Sequence, residues 1–331
     1  MSYSNFNQVF KDFDKQRVLI IGDVMIDAYI WGTVDRISPE APVPIVTATK
    51  RDFRLGGAAN VALNIQALGA TPILCAAIGN DDGGDRFKER LDIGQISNEG
   101  IIESSERPTT VKTRVMAGHQ HIVRVDEETD RPLSKEEEAQ LWARIEKLLP
   151  TCQVVIFEDY DKGVITKNII KKTVDLATKE GIPTVVDPKK RNFLGYKGVT
   201  LFKPNLKELK EGLKLDFEKG NQEELEKAVE LLLEKLGCAG TLITLSEKGV
   251  FINYKNERHL IPAHLREISD VSGAGDTVIS IAALCVALNL PPVAIAALSN
   301  LGGGLVCEFV GVVPINKASL LDEAIRLKIS L

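Results

Sequence analysis

Short, continuous apolar runs alternate along this chain with helical patterns, and few folds accommodate that order. The runs lie at residues 17–22, 73–78, 154–157, 184–186, 199–202 and 242–245. Helical patterns lie between them, at residues 57–68, 137–149, 168–179 and 225–236. A strand without polar alternation is typical of a sheet that is covered on both faces. The order therefore predicts an α/β fold, a mostly parallel sheet with helices on its faces.

Two segments interrupt this rhythm and predict a small lid. Residues 33–50 carry three prolines among β-branched residues. Residues 109–125 alternate polar and apolar residues around a glycine, which is the pattern of a hairpin. Both predict strands outside the main sheet, so we expect a β-strand lid over one large domain that spans residues 1–331. A small sheet of this kind leaves an apolar face and free edges uncovered, so we expect two lids to pack together in a homodimer.

Composition narrows the class of protein. The 331 residues carry 41 basic and 46 acidic side chains, a net charge of −5, so no global positive field would attract nucleic acid. The five cysteines have no CxxC spacing and lie in apolar surroundings, which is typical of buried, reduced thiols. The uncharged segment 277–307 is broken by the sequence NLPP, which predicts two buried helices rather than a membrane span. No signal peptide is readable, and we expect a cytoplasmic protein.

The sharpest motif is the sequence DVSGAGD at residues 270–276, which precedes a long apolar segment. A helix that begins near Ala274 would present free N–H groups and a positive dipole end, and Gly273 and Gly275 would let an anion approach that backbone closely. A carboxylate in the first turn, Asp276, suits phosphoryl transfer, because it can take the proton of an attacking hydroxyl while the amides hold phosphate charge. The alternative is that Asp276 merely caps a core helix.

Polar residues near the first strand suit sugar recognition. Gly56 and Gly57 open a helix that carries Asn60, whose amide can donate to and accept from hydroxyl groups. Asp23 and Asp27 follow the first strand, at the edge of the sheet where ligands of α/β proteins bind. An ordinary helix start and an N-cap are the alternatives for these residues.

Two later segments suit a nucleotide and its metal. Asn205 and Glu208, at i and i+3 of a helix's first turn, could hold Mg²⁺ through water, and a capping pair is the alternative. Thr244, Ser246 and Gly249 belong to a strand–turn–strand edge that could seat the nucleotide. The sequence contains no Gly-Lys dipeptide, no GxGxxG after a strand and no HExxH or Gly-x-Ser-x-Gly motif. These absences argue against a P-loop, the usual dinucleotide fingerprint, a zincin site and a nucleophile elbow.

Taken in order, these motifs resemble those of the PfkB (ribokinase-like) carbohydrate kinases over nearly the whole chain. The ordered set is an Asp after the first strand, GGxxxN, Asn-x-x-Glu and DVSGAGD. One branch of the family is more similar, the heptose 7-phosphate kinases, and the similarity lies in residues 22–32, 36–44, 112–114, 124–126, 159–163 and 187–189. Glu158, Lys203 and the sequence HQH at residues 119–121 of the lid depart from the family's pattern.

The resemblance implies a three-layer α/β/α body with a β lid, and phosphorylation by ATP and Mg²⁺ at C1 of D-glycero-β-D-manno-heptose 7-phosphate. It implies that Asp276 is the base and that residues 273–275 form the anion hole. It implies that Asn205 and Glu208 lie at the ATP and metal site. It also implies a sugar site that comprises Asp23, Asp27, Gly56, Gly57 and Asn60. We place Asp270, Thr244, Ser246 and Gly249 on the ATP side.

The resemblance also carries expectations about the substrate phosphate and about partners. A phosphorylated sugar needs cations, and the candidates are Arg36, Lys112, Arg114 and Arg124, since guanidinium groups match phosphate geometry. Many relatives carry a fused nucleotidyltransferase, and here we expect a separate one. A monovalent cation requirement is a further possibility.

Three other functions stay open at this point. Another sugar kinase of this family would act on ribose, fructose or a ketodeoxy acid. A non-catalytic sugar or nucleotide sensor would use the same scaffold, although the intact DVSGAGD motif argues against it. A nicotinamide oxidoreductase is disfavoured because the dinucleotide fingerprint is missing.

Overall fold

Strands and helices alternate from end to end of the chain, in a computed structural model that describes residues 3–118, 120–218 and 220–331. The strands are β1 (Arg17–Gly22), β2 (Val24–Ile37), β3 (Pro44–Gly57), β4 (Thr71–Gly79), β5 (Gly100–Ser104), β6 (Val111–Ala117), β7 (Gln120–Glu127), β8 (Val154–Glu158), β9 (Thr184–Asp187), β10 (Leu201–Phe202), β11 (Gly240–Thr244), β12 (Val250–Tyr254) and β13 (Glu257–Ile261). The helices are α1 (Phe6–Phe13), α2 (Ala58–Ala67), α3 (Asp82–Ile93), α4 (Lys135–Leu148), α5 (Lys167–Glu180), α6 (Leu206–Leu213), α7 (Gln222–Leu236), α8 (Ala274–Ala287), α9 (Pro292–Val306) and α10 (Lys317–Arg326).

The predicted apolar runs form the middle of a nine-stranded sheet with the order β13-β12-β11-β10-β9-β8-β1-β4-β5. All neighbours from β5 to β11 pair in parallel, and only β12 and β13 are added antiparallel. The run at 199–202 forms a strand only at its last two residues. The α/β fold with a mostly parallel sheet is therefore confirmed.

Helices cover both faces of this sheet and give the expected three layers. In β1, Val18 and Ile20 belong to the core under α1, α2, α3, α8, α9 and α10. Leu19 and Ile21 belong to the opposite core, under α4, α5, α6 and α7. Successive side chains of a strand point to opposite faces, so burial on both sides requires the unbroken apolar run that the sequence shows.

The lid is a separate four-stranded sheet with the order β3-β2-β6-β7. Its strands reach further than the predicted segments 33–50 and 109–125: only Asp23 separates β2 from β1, and β3 runs on to Gly57. The first residues of β2 are buried and apolar, so in sequence they look like part of the core. Residues 109–125 contain the expected hairpin, β6 and β7, with Gly118 in its turn and residue 119 outside the described part.

The uncharged segment forms two buried helices, as predicted. α8 and α9 pack against each other, and the turn between them contains residues 288–291. Within the described residues, no helix combines the length and the apolar character needed to cross a membrane. All five cysteines are buried and free of disulfides.

Candidate active site

Five neighbouring parallel strands end at one edge of the large sheet and place polar residues there. Asp23 follows β1, and Glu158 and Asp187 end β8 and β9. Lys203 follows β10, and Thr244 ends β11. Ligands of open α/β sheets bind beyond this edge. The first turn of α8 lies at the same edge, since a Cβ atom at Gly275 would be 3.6 Å from Asp187 and 3.9 Å from Lys203.

Asp276 lies in that first turn and is buried, at 6% exposure. One carboxylate oxygen, Oδ2, accepts a hydrogen bond from Nδ2 of Asn60 at 2.5 Å, and the other, Oδ1, accepts from the hydroxyl of Tyr160 at 3.0 Å. Burial raises the pKa of Asp276 to about 6, although both hydrogen bonds oppose the rise. The carboxylate is thus fixed in position and is more basic than an exposed one.

The glycine turn before Asp276 leaves the start of α8 free to bind an anion. Gly273 is the N-cap, with a left-handed φ of 79°, and no side chain caps the first-turn N–H groups. A Cβ atom at Gly273 would come within 3.2 Å of Asn60 and Val312, so a larger residue would be strained and crowded. The N–H of Ala274 donates to the carbonyl of Val271 at 3.3 Å, so within residues 273–275 the N–H groups of Gly273 and Gly275 are the candidates for binding an anion, and that role stays a prediction.

A cavity of about 260 Å³ lies between the lid and the start of α8, and we call it the lid cavity. Predicted residues that line it are Asp27, Gly56, Gly57, Asn60, Lys112, Arg114, Arg124, Gly273 and Asp276. Residues that line it without having been predicted are Met25, Tyr160, Ser272 and Val312. The structure therefore brings the expected base, the Gly56–Gly57 pair, Gly273 and three of the four candidate cations to one cavity.

The lid strands place two arginines side by side. Arg114 on β6 is paired in register with Arg124 on β7. Asp27 forms a salt bridge with Arg114, and Asp126 binds Arg124 through two hydrogen bonds of 2.9 Å. Lys112 contacts Asp126 at 3.3 Å. These carboxylates hold the cations in place, and each guanidinium still has donors beyond those in the salt bridge.

Asp23, predicted to face the sugar, does not line the lid cavity. It is buried, and its carboxylate accepts hydrogen bonds from the backbone N–H groups of Tyr160, Lys162 and Val164 at 2.8, 3.1 and 3.0 Å. With its oxygens used in this way, Asp23 shapes the loop after β8. Its effect on the cavity is indirect, because that loop carries Tyr160.

Arg36 also lies away from its predicted site, and Asp270 has structural contacts in the turn before α8. Arg36 is exposed near the far end of β2 and does not line the lid cavity. The carboxylate of Asp270 accepts from the N–H and hydroxyl of Ser272 and from the N–H of Gly311. Asp270 therefore ties the turn before α8 to the loop after α9, and these contacts occupy its carboxylate.

Asn205 and Glu208 form a capping box at the start of α6. A capping pair is the alternative that the sequence leaves open beside a metal site. Asn205 accepts from the N–H of Glu208 at 2.8 Å, and Glu208 Oε2 accepts from the N–H of Asn205 at 2.9 Å. The other oxygen, Oε1, binds Lys189 at 2.7 Å. Each oxygen of Glu208 accepts one hydrogen bond and keeps a second lone-pair position, so the water-mediated Mg²⁺ role of this residue stays a prediction. Among the residues described, no cluster of three or more His, Cys, Asp or Glu side chains suits a metal.

A groove of about 650 Å³ runs along α6 and contains two of the predicted nucleotide residues, Asn205 and Ser246. Three lysines, 207, 210 and 214, also line it. Thr244 forms a parallel bridge to Asn205, which joins the end of β11 to the start of α6. Gly249 has a φ of 90°, and a Cβ there would lie 2.0 Å from a backbone oxygen, so its place in the turn is structural.

Two residues that depart from the family's pattern belong to a buried charge cluster. Lys203 is 3% exposed and binds Asp187 at 2.7 Å. Glu158 is paired with Asp187 in the register of β8 and β9, and its Oε2 atom is buried without a hydrogen-bond partner. Burial and the nearby carboxylates raise the pKa of Glu158 well above its ordinary value. Lys203 thus compensates acidic groups that lie close to the start of α8.

Sequence reasoning missed Tyr160 as a site residue. It belongs to the segment 159–163 noted for its similarity to one branch of the family, but that signal gave the tyrosine no role. Its position depends on the loop after β8, which Asp23 fixes through contacts 137 to 141 residues away in sequence. A pattern within the segment itself cannot show that contact.

Comparison with known proteins finds a family model and relatives that each match most of this chain. The family model described as "pfkB family carbohydrate kinase" matches residues 15–317. "Bifunctional protein HldE" of Syntrophotalea carbinolica is 36% identical over 339 residues, covering 99% of this chain and 68% of that protein. "Bifunctional protein HldE" of Granulibacter bethesdensis is 39% identical over 323 residues, covering 95% and 66%. This chain spans about two thirds of the length of these relatives.

Solved structures share the fold over nearly the whole chain. Phosphofructokinase-2 from Escherichia coli in complex with potassium has a TM-score of 0.76 and 18% identity, covering 95% of this chain and 99% of that one. Arabidopsis thaliana ribokinase complexed with ribose and ATP has a TM-score of 0.71 and 17% identity, covering 92% and 98%. The architecture is therefore ribokinase-like.

Proposed function

Since the chain belongs to the pfkB family of carbohydrate kinases, we propose that it transfers a phosphoryl group from ATP to the C1 hydroxyl of D-glycero-β-D-manno-heptose 7-phosphate. The observation that carries the proposal is the buried Asp276, in a lid cavity that also contains three lid cations. The similarity of the lid and loop motifs to heptose 7-phosphate kinases supports the choice of sugar. The relatives named HldE agree with that choice.

In the proposed reaction Asp276 is the general base. The C1 oxygen attacks the γ-phosphorus of ATP, and its proton passes to the Asp276 carboxylate. The bond from the γ-phosphorus to the bridging oxygen breaks, and ADP leaves with the electron pair. The amides of residues 273–275 at the start of α8 hold the charge that develops on the transferred group. Mg²⁺ would accompany the ATP phosphates, and no step is assigned to it.

The 7-phosphate would lie against the lid cations of the cavity. Arg114 and Arg124 are adjacent across two strands, and Lys112 lies two residues before Arg114 on β6, on the same face and opposite Asp126. Their salt bridges with acidic neighbours orient the cations, and the remaining N–H groups can bind phosphate oxygens. Arg36, which lies outside the cavity, takes no part in this proposal.

The test is ADP release from ATP with a panel of acceptors: the heptose 7-phosphate, the free heptose, ribose, fructose and a ketodeoxy acid. We expect the heptose 7-phosphate to have the highest kcat/KM, and ³¹P NMR of the product to show a new phosphate at C1. Arg114→Gln should lower kcat/KM for the 7-phosphate about 10- to 100-fold, from the loss of charged hydrogen bonds. Its effect on the free heptose should be smaller.

Arg36→Gln is the matched control, since it removes a lid arginine outside the cavity and should change neither substrate's kcat/KM. Equal turnover of the free heptose and its 7-phosphate by the wild type would contradict the choice of substrate. Preference for another sugar would support a different kinase of the same family. No ADP release with any sugar would contradict the proposed kinase reaction.

Four further statements remain predictions. ATP would occupy the groove along α6, and a monovalent cation would be required or would stimulate the reaction. A nucleotidyltransferase would consume the phosphorylated sugar. Two copies of the chain would associate through their lids.

A further inference from the structure

Tyr160 contacts the proposed base directly, although the reaction described above does not use it. Its side chain lines the lid cavity, and its hydroxyl donates to Oδ1 of Asp276 at 3.0 Å. The residue is held from two sides: its backbone N–H donates to Asp23 at 2.8 Å, and Nζ of Lys189 lies 5.4 Å from the centre of its ring. These contacts fix where the phenol oxygen can lie.

We propose that Tyr160 is a positioning residue for the base: its hydroxyl orients the Asp276 carboxylate towards the acceptor hydroxyl and holds it in the ionised, proton-accepting form. The proposal rests on the proposed role of Asp276. A carboxylate offers about four lone-pair positions. Asn60 and Tyr160 occupy one on each oxygen, so the plane of the carboxylate is fixed while positions remain for the sugar.

The surroundings of Asp276 explain why a donor is needed there. Charged and titratable groups face it from every packed element: Tyr160 after β8, Glu158 at the end of β8, Asp187 at the end of β9 and Lys203 after β10, with the neutral Asn60 from α2. Burial and Asp187 raise the pKa of Asp276, and the hydrogen bonds from Asn60 and Tyr160, together with Lys203, lower it. A hydrogen-bond donor to the charged carboxylate favours the ionised form of Asp276. Without the Tyr160 hydroxyl, more of the base would be protonated at a given pH.

Tyr160→Phe tests this, because it removes only the hydroxyl and leaves the ring and the backbone contact with Asp23 in place. The wild-type kcat/KM should fall on the acid side, as Asp276 takes up a proton. In the variant we expect that acid limb to move up by about 1 pH unit, the size of one charged hydrogen bond. At pH 6 the variant should therefore lose about 5-fold more activity than at pH 9.

Tyr196→Phe is the matched control. The Tyr196 hydroxyl donates at 2.6 Å to Asp159, another buried carboxylate whose pKa burial raises to about 6, but neither residue lines the lid cavity. We expect this variant to keep the wild-type acid limb. Thermal unfolding of both variants, followed by circular dichroism, shows whether each is folded at the assay temperature.

The outcomes separate this inference from the proposed function. An unchanged acid limb in Tyr160→Phe, with Asp276→Asn inactive, would overturn the role of Tyr160 and leave the base in place. An equal shift in Tyr160→Phe and Tyr196→Phe would also overturn it, because the effect would not depend on the contact with Asp276. An active Asp276→Asn variant, with no acid limb in the wild type, would refute the proposed base instead.

Discussion

Asp276→Asn should make the protein more stable at neutral pH while it removes catalysis. The substitution replaces a buried carboxylate by a neutral side chain of nearly the same shape. Asparagine can keep both contacts, since its oxygen accepts from Asn60 and its amide can donate to the oxygen of Tyr160. No cavity is created. The hydroxyl hydrogen of Tyr160 loses its acceptor, but Tyr160 lines the lid cavity, where water can accept that hydrogen, so the change in charge dominates the outcome.

The size of the effect follows from the pKa of Asp276. Burial raises that pKa from 3.8 to about 6, so in the folded protein the protonated form is favoured. The contribution of Asp276 to the free energy of unfolding is fully present below about pH 4, and it is lost as the pH rises through 6. The difference corresponds to about 3 kcal/mol of unfolding free energy. Loss of a favourable charge at the start of α8 costs about 0.3–1 kcal/mol, so we expect a net gain of about 2 kcal/mol.

Differential scanning calorimetry at pH 7.5 and pH 4 measures this gain. A chain of 331 residues has an unfolding entropy of about 0.7 kcal/mol per kelvin, so Tm should rise by about 3 °C at pH 7.5 and should not rise at pH 4. In the same sample kcat should fall about 10²- to 10⁴-fold, as for the loss of a positioned base. A Tm at or below that of the wild type at pH 7.5 would refute the burial argument. A kcat above a third of the wild-type value would remove Asp276 from the mechanism.

Two further outcomes concern stability and assembly. Lys203→Met should lower the free energy of unfolding in urea by about 3 kcal/mol, because it leaves the buried Asp187 with only the longer contact to Lys189, at 3.9 Å. Lys171→Met at an exposed ion pair should cost less than about 1 kcal/mol, and equal costs would contradict the argument. If two lids pack together, the wild type should have twice the mass of 36.2 kDa by light scattering. Val125→Glu, on the exposed face of β7, should give a monomer. Ile325→Glu, on α10, is the control and should stay a dimer. A monomeric wild type with full activity would contradict the expected dimer.

Local patterns in the sequence predicted much of the fold. The strand β1 can be predicted because its five consecutive buried residues form an unbroken run in the sequence. Such a run is recognised without knowing which strands it pairs with. The start of α8 was readable because Gly273 and Asp276 lie within one turn of each other. The existence of the lid strands can be predicted, but their length cannot, since the buried residues at the start of β2 share the apolar pattern of the core.

Contacts between distant segments account for what the sequence could not show. Glu208 was predicted to face a metal, but Lys189, 19 residues away, binds its carboxylate. Asp23 was predicted to face the sugar, but it binds the loop after β8 instead. In both cases the residue type and its edge of the sheet were foreseeable, whereas the partner depends on how two loops meet in space. The unforeseen place of Tyr160 follows from the second of these contacts.

The alternation along β7 limits how the lid can change during evolution. Arg124 lines the lid cavity, and its neighbours Val123 and Val125 are about half exposed. Inserting or deleting one residue would turn the valines inward and the arginine outward, so a single-codon change would damage two surfaces at once. One irregularity is already present: the pairing shifts between Val115 and Met116 of β6, on the turn side of Arg114. Insertions and deletions can therefore accumulate at the turn between β6 and β7, where they do not exchange the two faces of β7. They cannot accumulate further along the strand, away from the turn.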